Sequence, residues 1–263
     1  MSLATPDSAT ENSTNRDSIR LVDVHSLHKS GTMFLFNFFK HLSRVRDATM
    51  LSSNHSPASD YRSITDVQSL HSVSAGKQVV CRCPIRTFEL KQFQVPDVNQ
   101  HRIFHLRDPR DMIVSEYFSF GWIHADDDDL LEARRREIQQ MSIDDYVIGQ
   151  SEQSTWPLEK KYLPLINYNF DPQRETVVKY NQMVTDFPRW CAKVVAAYGF
   201  RFPKLLTLRL AWRYRNEFKT SAESMQHKRR ITPGDFREKL KPKTIKILNR
   251  RFEAVLERFE FPE

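Results

Sequence analysis

Residues 21–35 read LVDVHSLHKSGTMFL, and this stretch decides how the chain folds. The apolar residues that alternate at its start predict a short strand entering a sheet. The small polar loop Lys29-Ser30-Gly31-Thr32 follows, and the apolar run 33–42 after it is too long for a strand and predicts a buried helix. A strand, a tight loop and a helix in this order aim the backbone N–H groups of the first helical turn at one point. The sequence therefore predicts an anion site there.

The residue types of the loop suit a phosphate ligand. Lys29 supplies a mobile full charge, the hydroxyls of Ser30 and Thr32 supply donors, and Gly31 allows close approach of the backbone. The loop is not a Walker A motif, which needs Gly-x-x-x-x-Gly-Lys-Ser/Thr, because here the lysine precedes the glycine. Four such residues are also common in a simple turn that caps a helix, so the rest of the chain has to decide between the two interpretations.

Composition bounds the class of protein. The chain has 263 residues, of which 40% are apolar and 28% charged, as in a globular protein large enough for a real core. No apolar run approaches the ~18 residues of a membrane helix. The N-terminal residues do not show a basic region followed by an apolar stretch, so a secretion signal is not expected. The three cysteines predict no disulfide framework, because Cys81 and Cys83 lie too close together in one predicted strand to bridge easily, so a reducing, cytoplasmic location is expected. Since no apolar run can span a bilayer, no membrane partner is expected. The net charge of +7 favours an anionic partner: nucleic acid, acidic membrane or a phosphorylated cofactor.

The order of elements predicts the architecture. Residues 1–18 are polar and predict a disordered tail, and residues 19–263 predict a single domain. Strands are expected within 77–85, 102–106 and 176–180. Helices are expected over 111–120, 183–198 and 205–218, after 126–129, and from 243 onward, with loops and a short helix over 47–75 and a basic loop over 227–240. Strands that alternate with helices predict a three-layer α/β fold, a parallel sheet with helices on both faces.

Four consecutive aspartates, at 126–129, resemble a metal site at first sight. The interpretation that the residues favour is a helix start, because acidic side chains offset the helix dipole there and charged residues continue along the same helix. No metal ion is therefore expected.

Two further stretches carry cationic groups. Arg107 stands at the end of a predicted strand, and Ser115 lies eight residues later on the following helix, so both can reach one anion. A simpler alternative is that Arg107 pairs with Asp108 or Asp111. The other stretch, at 227–237, is a cationic Gly/Pro loop that by itself fits a solvated loop or a nucleic-acid patch.

In this order the three stretches resemble the sulfotransferases that use 3′-phosphoadenosine 5′-phosphosulfate (PAPS). Residues 29–32 resemble the family's 5′-phosphosulfate loop, Lys-Ser-Gly-Thr-Thr. The Arg107 to Ser115 spacing resembles its 3′-phosphate motif, and 229–236 (RRITPGDF) resembles its Arg-Lys-Gly-x-x-Gly-Asp-Trp motif. The resemblance spans about residues 20–240. It departs from the pattern at Ile231, where the family usually has glycine.

The resemblance implies a P-loop-like sulfotransferase fold and roles for individual residues. Lys29 would neutralise the bridging oxygen of the leaving nucleotide, and the product would be 3′-phosphoadenosine 5′-phosphate (PAP). Backbone N–H groups from Ser30 to Met33 would hold the phosphosulfate. The residues expected to bind the 3′-phosphate are Arg107, Ser115, Arg229 and Arg230, and Tyr180 would contact adenine. The acceptor would be a small molecule with a hydroxyl or amine, and no nucleic acid is expected.

The general base is open. The family's usual histidine position holds Arg82, whose guanidinium cannot deprotonate at working pH. The remaining candidates are His55, favoured first, then His28, with His25 and Glu89 behind them, unless the acceptor needs no base. The competing functions are a P-loop-type small-molecule kinase and a non-catalytic nucleotide- or anion-binding module.

Overall fold

The computed structural model describes residues 19–52, 62, 64–123, 129–153, 158–218 and 232–262. Five parallel strands form the centre of the fold, in the order β2-β3-β1-β4-β5. The strands are β1 (Arg20–His25), β2 (Thr49–Leu51), β3 (Val79–Ile85), β4 (Asn99–Leu106) and β5 (Glu175–Lys179). The expected parallel α/β sheet is confirmed.

Eleven α-helices of the described residues connect and cover the strands. They are α1 (Thr32–Arg46), α2 (Val67–Ser74), α3 (Pro109–Phe118), α4 (Asp129–Gln140), α5 (Ile143–Gln153), α6 (Leu158–Ile166), α7 (Tyr180–Thr185), α8 (Phe187–Tyr198), α9 (Pro203–Arg213), α10 (Asp235–Lys239) and α11 (Pro242–Arg258). A short 3₁₀ helix (Leu90–Phe93) precedes β4, and a π-helical turn (Ser119–Ile123) follows α3.

The alternation of side chains along β1 divides the core into two layers. Val22 and Val24 face α1, α7 and α8, whose packing centres on the fully buried Trp190. On the opposite face, Phe104 and Leu106 of β4 pack against α3, α5, α6 and α11. Because both faces of the sheet are covered, strands such as β3 are buried along their whole length.

Four expected stretches differ from the structure. The helix expected over 205–218 ends at Arg213. The stretch 47–75 contains a strand, β2, which is too short to show an apolar period. The helix expected over 183–198 is two helices, because the Asp186 side chain accepts the N–H of Arg189 and starts α8. Within the stretch expected to be a basic loop, Asp235–Lys239 forms α10. Gly199 is the C-cap of α8 and adopts the left-handed conformation that glycine favours, at φ 87°.

A buried ion pair joins the two central strands. Arg82 of β3 donates to both carboxylate oxygens of Asp23 on β1 at 2.6 Å, and to the Phe93 carbonyl at 2.7 Å. Gln100 of β4 donates to the same carboxylate at 2.6 Å. Arg82 and Asp23 are both 0% exposed. Arg82, which stands at the position expected for a histidine, therefore forms a structural ion pair with Asp23 inside the sheet.

Candidate functional site

The candidate site lies where β1, β4 and β5 end. Because these strands are parallel neighbours, the segments that follow them meet at one edge of the sheet, the usual ligand-binding edge of open α/β sheets. The loop before α1, the β4–α3 junction and the start of α7 come together there, and they carry Lys29, Arg107 and Tyr180, three residues singled out in the sequence.

The loop before α1 holds two residues in left-handed conformations, Lys29 at φ 65° and Gly31 at φ 77°. Such a conformation is unfavourable for lysine and is held by surrounding structure. Gly31 is the N-cap of α1, no side chain caps this helix, and no acidic residue lies in its first turn. A Cβ on Gly31 would stand 3.2 Å from Tyr180 Cε2 and 3.3 Å from Met183 Cε. The first-turn N–H groups of α1 therefore have no side-chain cap, which makes this turn a candidate anion site.

The Lys29 ammonium is anchored on the helix that follows β4. Its Nζ donates to Ser119 Oγ at 2.7 Å, and Ser119 is 1% exposed. Ser119 stands four residues after Ser115, so both lie on the same side of this helical segment. The sequence analysis missed Ser119; its spacing from Ser115 was the available signal.

Arg107 connects the loop before α1 to the start of α7. Its Nη1 donates to the Lys29 carbonyl, and its guanidinium lies 4.2 Å from the centre of the Tyr180 ring. The Tyr162 hydroxyl donates to the Arg107 carbonyl and fixes its backbone. Arg107 is 6% exposed, and its buried Nε has no hydrogen-bond partner among the described residues. A buried donor without a partner is costly, and an anionic ligand would satisfy it.

The alternative that Arg107 pairs with a neighbouring carboxylate is met only in part. The charge of Arg107 opposes the rise in the pKa of Asp111 that burial causes, but both carboxylates are hydrogen-bonded to other groups. Asp108 accepts from Arg110 at 2.7 Å. Asp111 accepts the backbone N–H groups of Gly234, at 2.8 Å, and Phe236, at 3.2 Å. The two hydrogen bonds to Asp111 hold residues 234–236, the Gly-Asp-Phe end of the third motif, against the first turn of α3.

Other residues expected in the site differ in how they can contribute. Ser30 is 0% exposed, its Oγ lies 3.5 Å from Met112 Sδ, and its N–H donates to the Leu27 carbonyl at 3.2 Å. Its hydroxyl therefore faces the core. Thr32 is buried at the first position of α1, whereas the Met33 side chain is exposed, so Met33 can contribute through its backbone. Ser115 is half-buried on α3.

Of the general-base candidates, His28 lies beside the loop. It is half-buried, with its ring stacked 6.1 Å from that of Phe120. His25 is buried, its Nδ1 donates to the Thr87 carbonyl at 2.8 Å, and burial lowers its pKa to about 4. Glu89 is exposed before the 3₁₀ helix. His55, Arg229 and Arg230 lie outside the described residues, so their roles stay predictions.

The sequence analysis also missed Glu116, next to Ser115 on α3. Burial raises the pKa of its carboxyl, while the positive charges of Lys161, Lys29 and Arg134 act in the opposite direction. A carboxyl with a raised pKa beside several positive charges is a candidate proton acceptor. Glu116 therefore joins His28 and His55 as a candidate base.

His105 lies under the site, on the face of the sheet that α8 covers. Its ring contacts those of Tyr180 and Trp190, and neither ring nitrogen has a partner among the described residues. Burial, and next to it the charge of Arg107, lowers its pKa to about 3. Below pH 6.5 the unfolded chain takes up this proton and the folded protein does not, so stability is lost as the pH falls from about 6.5 toward 3.

We expect the His105→Leu variant to lose less stability on acidification than the unmodified protein. At pH 5 a histidine held neutral in the folded state costs about 2 kcal/mol, because 1.5 pKa units separate this pH from the unfolded value. Urea unfolding at pH 7.5 and pH 5 measures the difference. His71→Leu, at an exposed position on α2, should keep the original pH dependence. An unchanged dependence in His105→Leu would show that His105 is protonated in the folded state.

Among the described residues, no group of three or more His, Cys, Asp or Glu side chains could hold a metal ion, and 126–128 lie outside them. Nor is any helix of the described part of the chain both long enough and apolar enough to cross a bilayer.

Together these observations define an open α/β protein whose candidate site lies at the carboxyl edge of its parallel sheet. Among solved structures, the chain is similar to mouse sulfotransferase SULT7A1 complexed with PAP. The TM-score is 0.56, the identity 15%, and the match covers 93% of this chain and 85% of the mouse chain. No family model matches the sequence, and no curated protein matches it. The likeness shows that the fold is of the sulfotransferase kind.

Proposed function

We propose that the protein is a PAPS-dependent sulfotransferase that transfers a sulfuryl group to a hydroxyl or amine of a small-molecule acceptor. One observation carries the proposal. Arg107 donates to the backbone of the Lys29 loop, stacks on Tyr180, and keeps a buried donor without a partner. These residues are far apart in the sequence, and they meet where β1, β4 and β5 end. The fold of a PAP-bound sulfotransferase is further support.

Each residue has a physical task in this reaction. The donor nucleotide supplies an activated sulfuryl group, and negative charge grows on its bridging oxygen as the group leaves. The N–H groups of Gly31, Thr32 and Met33 would bind the 5′ end, and Lys29 would stabilise the growing charge. Arg107 and Ser115, with Arg229 and Arg230, would bind the 3′-phosphate, and Tyr180 would contact the adenine.

The acceptor would lie near His28, with its proton taken by His28, His55 or Glu116. Glu116 is added on the structural ground that it is a half-buried carboxyl with a raised pKa that interacts with the charge of Lys29. A cytoplasmic location remains part of this proposal.

The test is selective stabilisation by PAP. At a hundred times its dissociation constant, PAP should add about 2.7 kcal/mol to stability. For a chain of this size that corresponds to roughly 5–10 °C in melting temperature. ATP should add much less, because it lacks the 3′-phosphate. Thermal unfolding with PAP, with ATP and with ATP plus Mg²⁺ measures the difference.

The Arg107→Ala and Arg229→Ala variants should lose most of the difference between PAP and ATP. Arg107→Lys keeps the positive charge but loses the planar guanidinium that can donate two parallel hydrogen bonds. It serves as a second variant in case Arg107→Ala fails to fold. Arg174→Ala, at an exposed position before β5, should behave as the unmodified protein. Equal stabilisation by PAP and ATP would contradict the proposal, and a shift only with ATP plus Mg²⁺ would favour the kinase alternative.

A further inference from the structure

The outer side of α9 carries large apolar side chains that face solvent. We call this surface the α9 face, and it consists of Phe202, Leu205, Leu208 and Trp212 together with Val45 of α1. Their exposures are 65%, 65%, 68%, 70% and 50% in that order. Between α9 and α1 runs a groove of about 550 Å³. Exposed apolar residues that adjoin one another in this way mark an interaction surface.

The opposite side of α9 packs against the hydrophobic core. Leu210 is 2% exposed, and Leu206 packs against the same core as α8. The helix is therefore apolar on both sides, although only one of them is covered by described residues. Core packing does not account for the apolar residues of the α9 face.

Along α9 and its flanking residues the charges have one sign, and the acidic residue nearest to Val45 along the chain, Asp47, pairs with Lys77. Residues 187–216 contain no aspartate or glutamate. The basic side chains beside the apolar ones are exposed, and they are Arg201, Lys204, Arg209 and Arg213 of the α9 segment and Arg44 of α1. His41 lines the groove, and its pKa is lowered by burial and then by Arg213 and Arg44, as expected in a positive local potential.

We propose that the α9 face binds the surface of an anionic lipid bilayer. Exposed leucine, phenylalanine and tryptophan side chains can enter the boundary between headgroups and acyl chains, while arginine and lysine beside them contact the anionic headgroups. The sequence analysis expected no membrane partner because no apolar run can span a bilayer. A helix that lies in the interface needs no such run.

The charges and side-chain types of the α9 face disfavour other occupants. In a symmetric dimer the same patch would meet itself, so its arginines and lysines would face one another. Nucleic acid would satisfy the charges, but it offers no apolar surface to Leu205, Leu208 or Val45. The N-terminal residues 1–18 are mostly polar and offer little apolar surface to cover the face.

The α9 face is separate from the anion loop. His41, on the α1 side of the groove, stands nine residues after Thr32, which is about 14 Å along the helix. Membrane binding is therefore independent of the proposed sulfotransferase function, and either can fail without the other.

The experiment is sedimentation of the full chain with vesicles of phosphatidylcholine alone and of phosphatidylcholine with about a third phosphatidylserine. Binding is expected only to the anionic vesicles and should weaken as salt is added. Since each basic residue at an anionic surface contributes about fivefold in affinity, replacing Arg201, Lys204, Arg209 and Arg213 by glutamine should weaken binding more than tenfold.

Two matched controls separate the α9 face from general properties of the chain. Replacing Lys91, Lys160, Lys243 and Arg250 by glutamine removes the same number of positive charges from exposed positions elsewhere and should leave most of the binding intact. Leu208→Ser with Trp212→Ser should abolish the blue shift of tryptophan fluorescence on binding. Leu163→Ser with Met141→Ser, at exposed positions on and before other helices, should preserve it.

Three results would overturn the proposal: no binding of the unmodified protein to anionic vesicles, equal binding by both glutamine variants, or equal fluorescence shifts in both serine variants. A dimer that Leu208→Ser with Trp212→Ser dissociates, without vesicle binding, would assign the face to a second copy instead. Binding to RNA without vesicle binding would assign it to nucleic acid. The response to PAP should be the same in all these variants, so loss of that response alone would count against the proposed function and not against this inference.

Discussion

Lys29→Ala is expected to lower the turnover number roughly 10²- to 10³-fold while changing the dissociation constant of PAP only a few-fold. The loss is of that size because one well-placed donor to charge that develops in a transition state is worth roughly this factor. Binding changes less, because the Lys29 backbone still forms the loop and still accepts from Arg107. The measurement is PAP release from PAPS with a panel of hydroxyl and amine acceptors, beside the PAP melting shift.

Lys91→Ala removes a lysine from an exposed position away from the loop and should retain full turnover. Ser119→Ala tests the anchor of the Lys29 ammonium, and its loss should be smaller than that of Lys29→Ala because the charge remains. If Lys29→Ala kept a normal turnover number, the assignment of Lys29 to the leaving oxygen would be wrong.

Asp23→Ala is expected to destabilise the protein by about 3–5 kcal/mol. The substitution leaves the Arg82 guanidinium buried without its carboxylate, and an uncompensated buried charge costs this much. Since each kcal/mol corresponds to about 2–4 °C for a chain of this size, the melting temperature should fall by roughly 6–20 °C. Denaturant unfolding and thermal melting both measure the change.

Glu132→Ala is the matched control. It breaks an ion pair with Arg136 whose side chains are 53% and 66% exposed, and such pairs contribute under about 1 kcal/mol. The double variant Asp23→Ala, Arg82→Leu should be more stable than the sum of the two single changes predicts, because no lone charge remains. Strict additivity would show that Asp23 and Arg82 are not energetically coupled.

The likeness of the fold to a PAP-bound sulfotransferase and the convergence at Arg107 support the same proposal from different directions. The likeness of the fold concerns the path of the whole backbone, whereas the convergence at Arg107 concerns contacts at a few positions. The α9 face adds a surface property that neither requires.

The sequence by itself determined the parallel α/β sheet and the strand-loop-helix unit at 21–35. Both follow from short-range patterns: alternating apolar residues for β1, a continuous apolar run for α1, and a glycine where the backbone turns. The position of Arg107 at the end of a strand was also predictable from the neighbouring residues alone. The short strand β2 gave no such pattern, because three residues cannot show a period.

Only the tertiary structure decided what the individual charges do. Arg82 pairs with Asp23 across 59 positions of sequence, and Lys29 reaches Ser119 across 90. It also showed that one apolar side of α9 is buried and the other faces solvent, although the sequence marks both sides alike. Contacts of this range depend on how strands and helices pack in space, and the spacing of residues along one element carries no information about which distant element lies beside it.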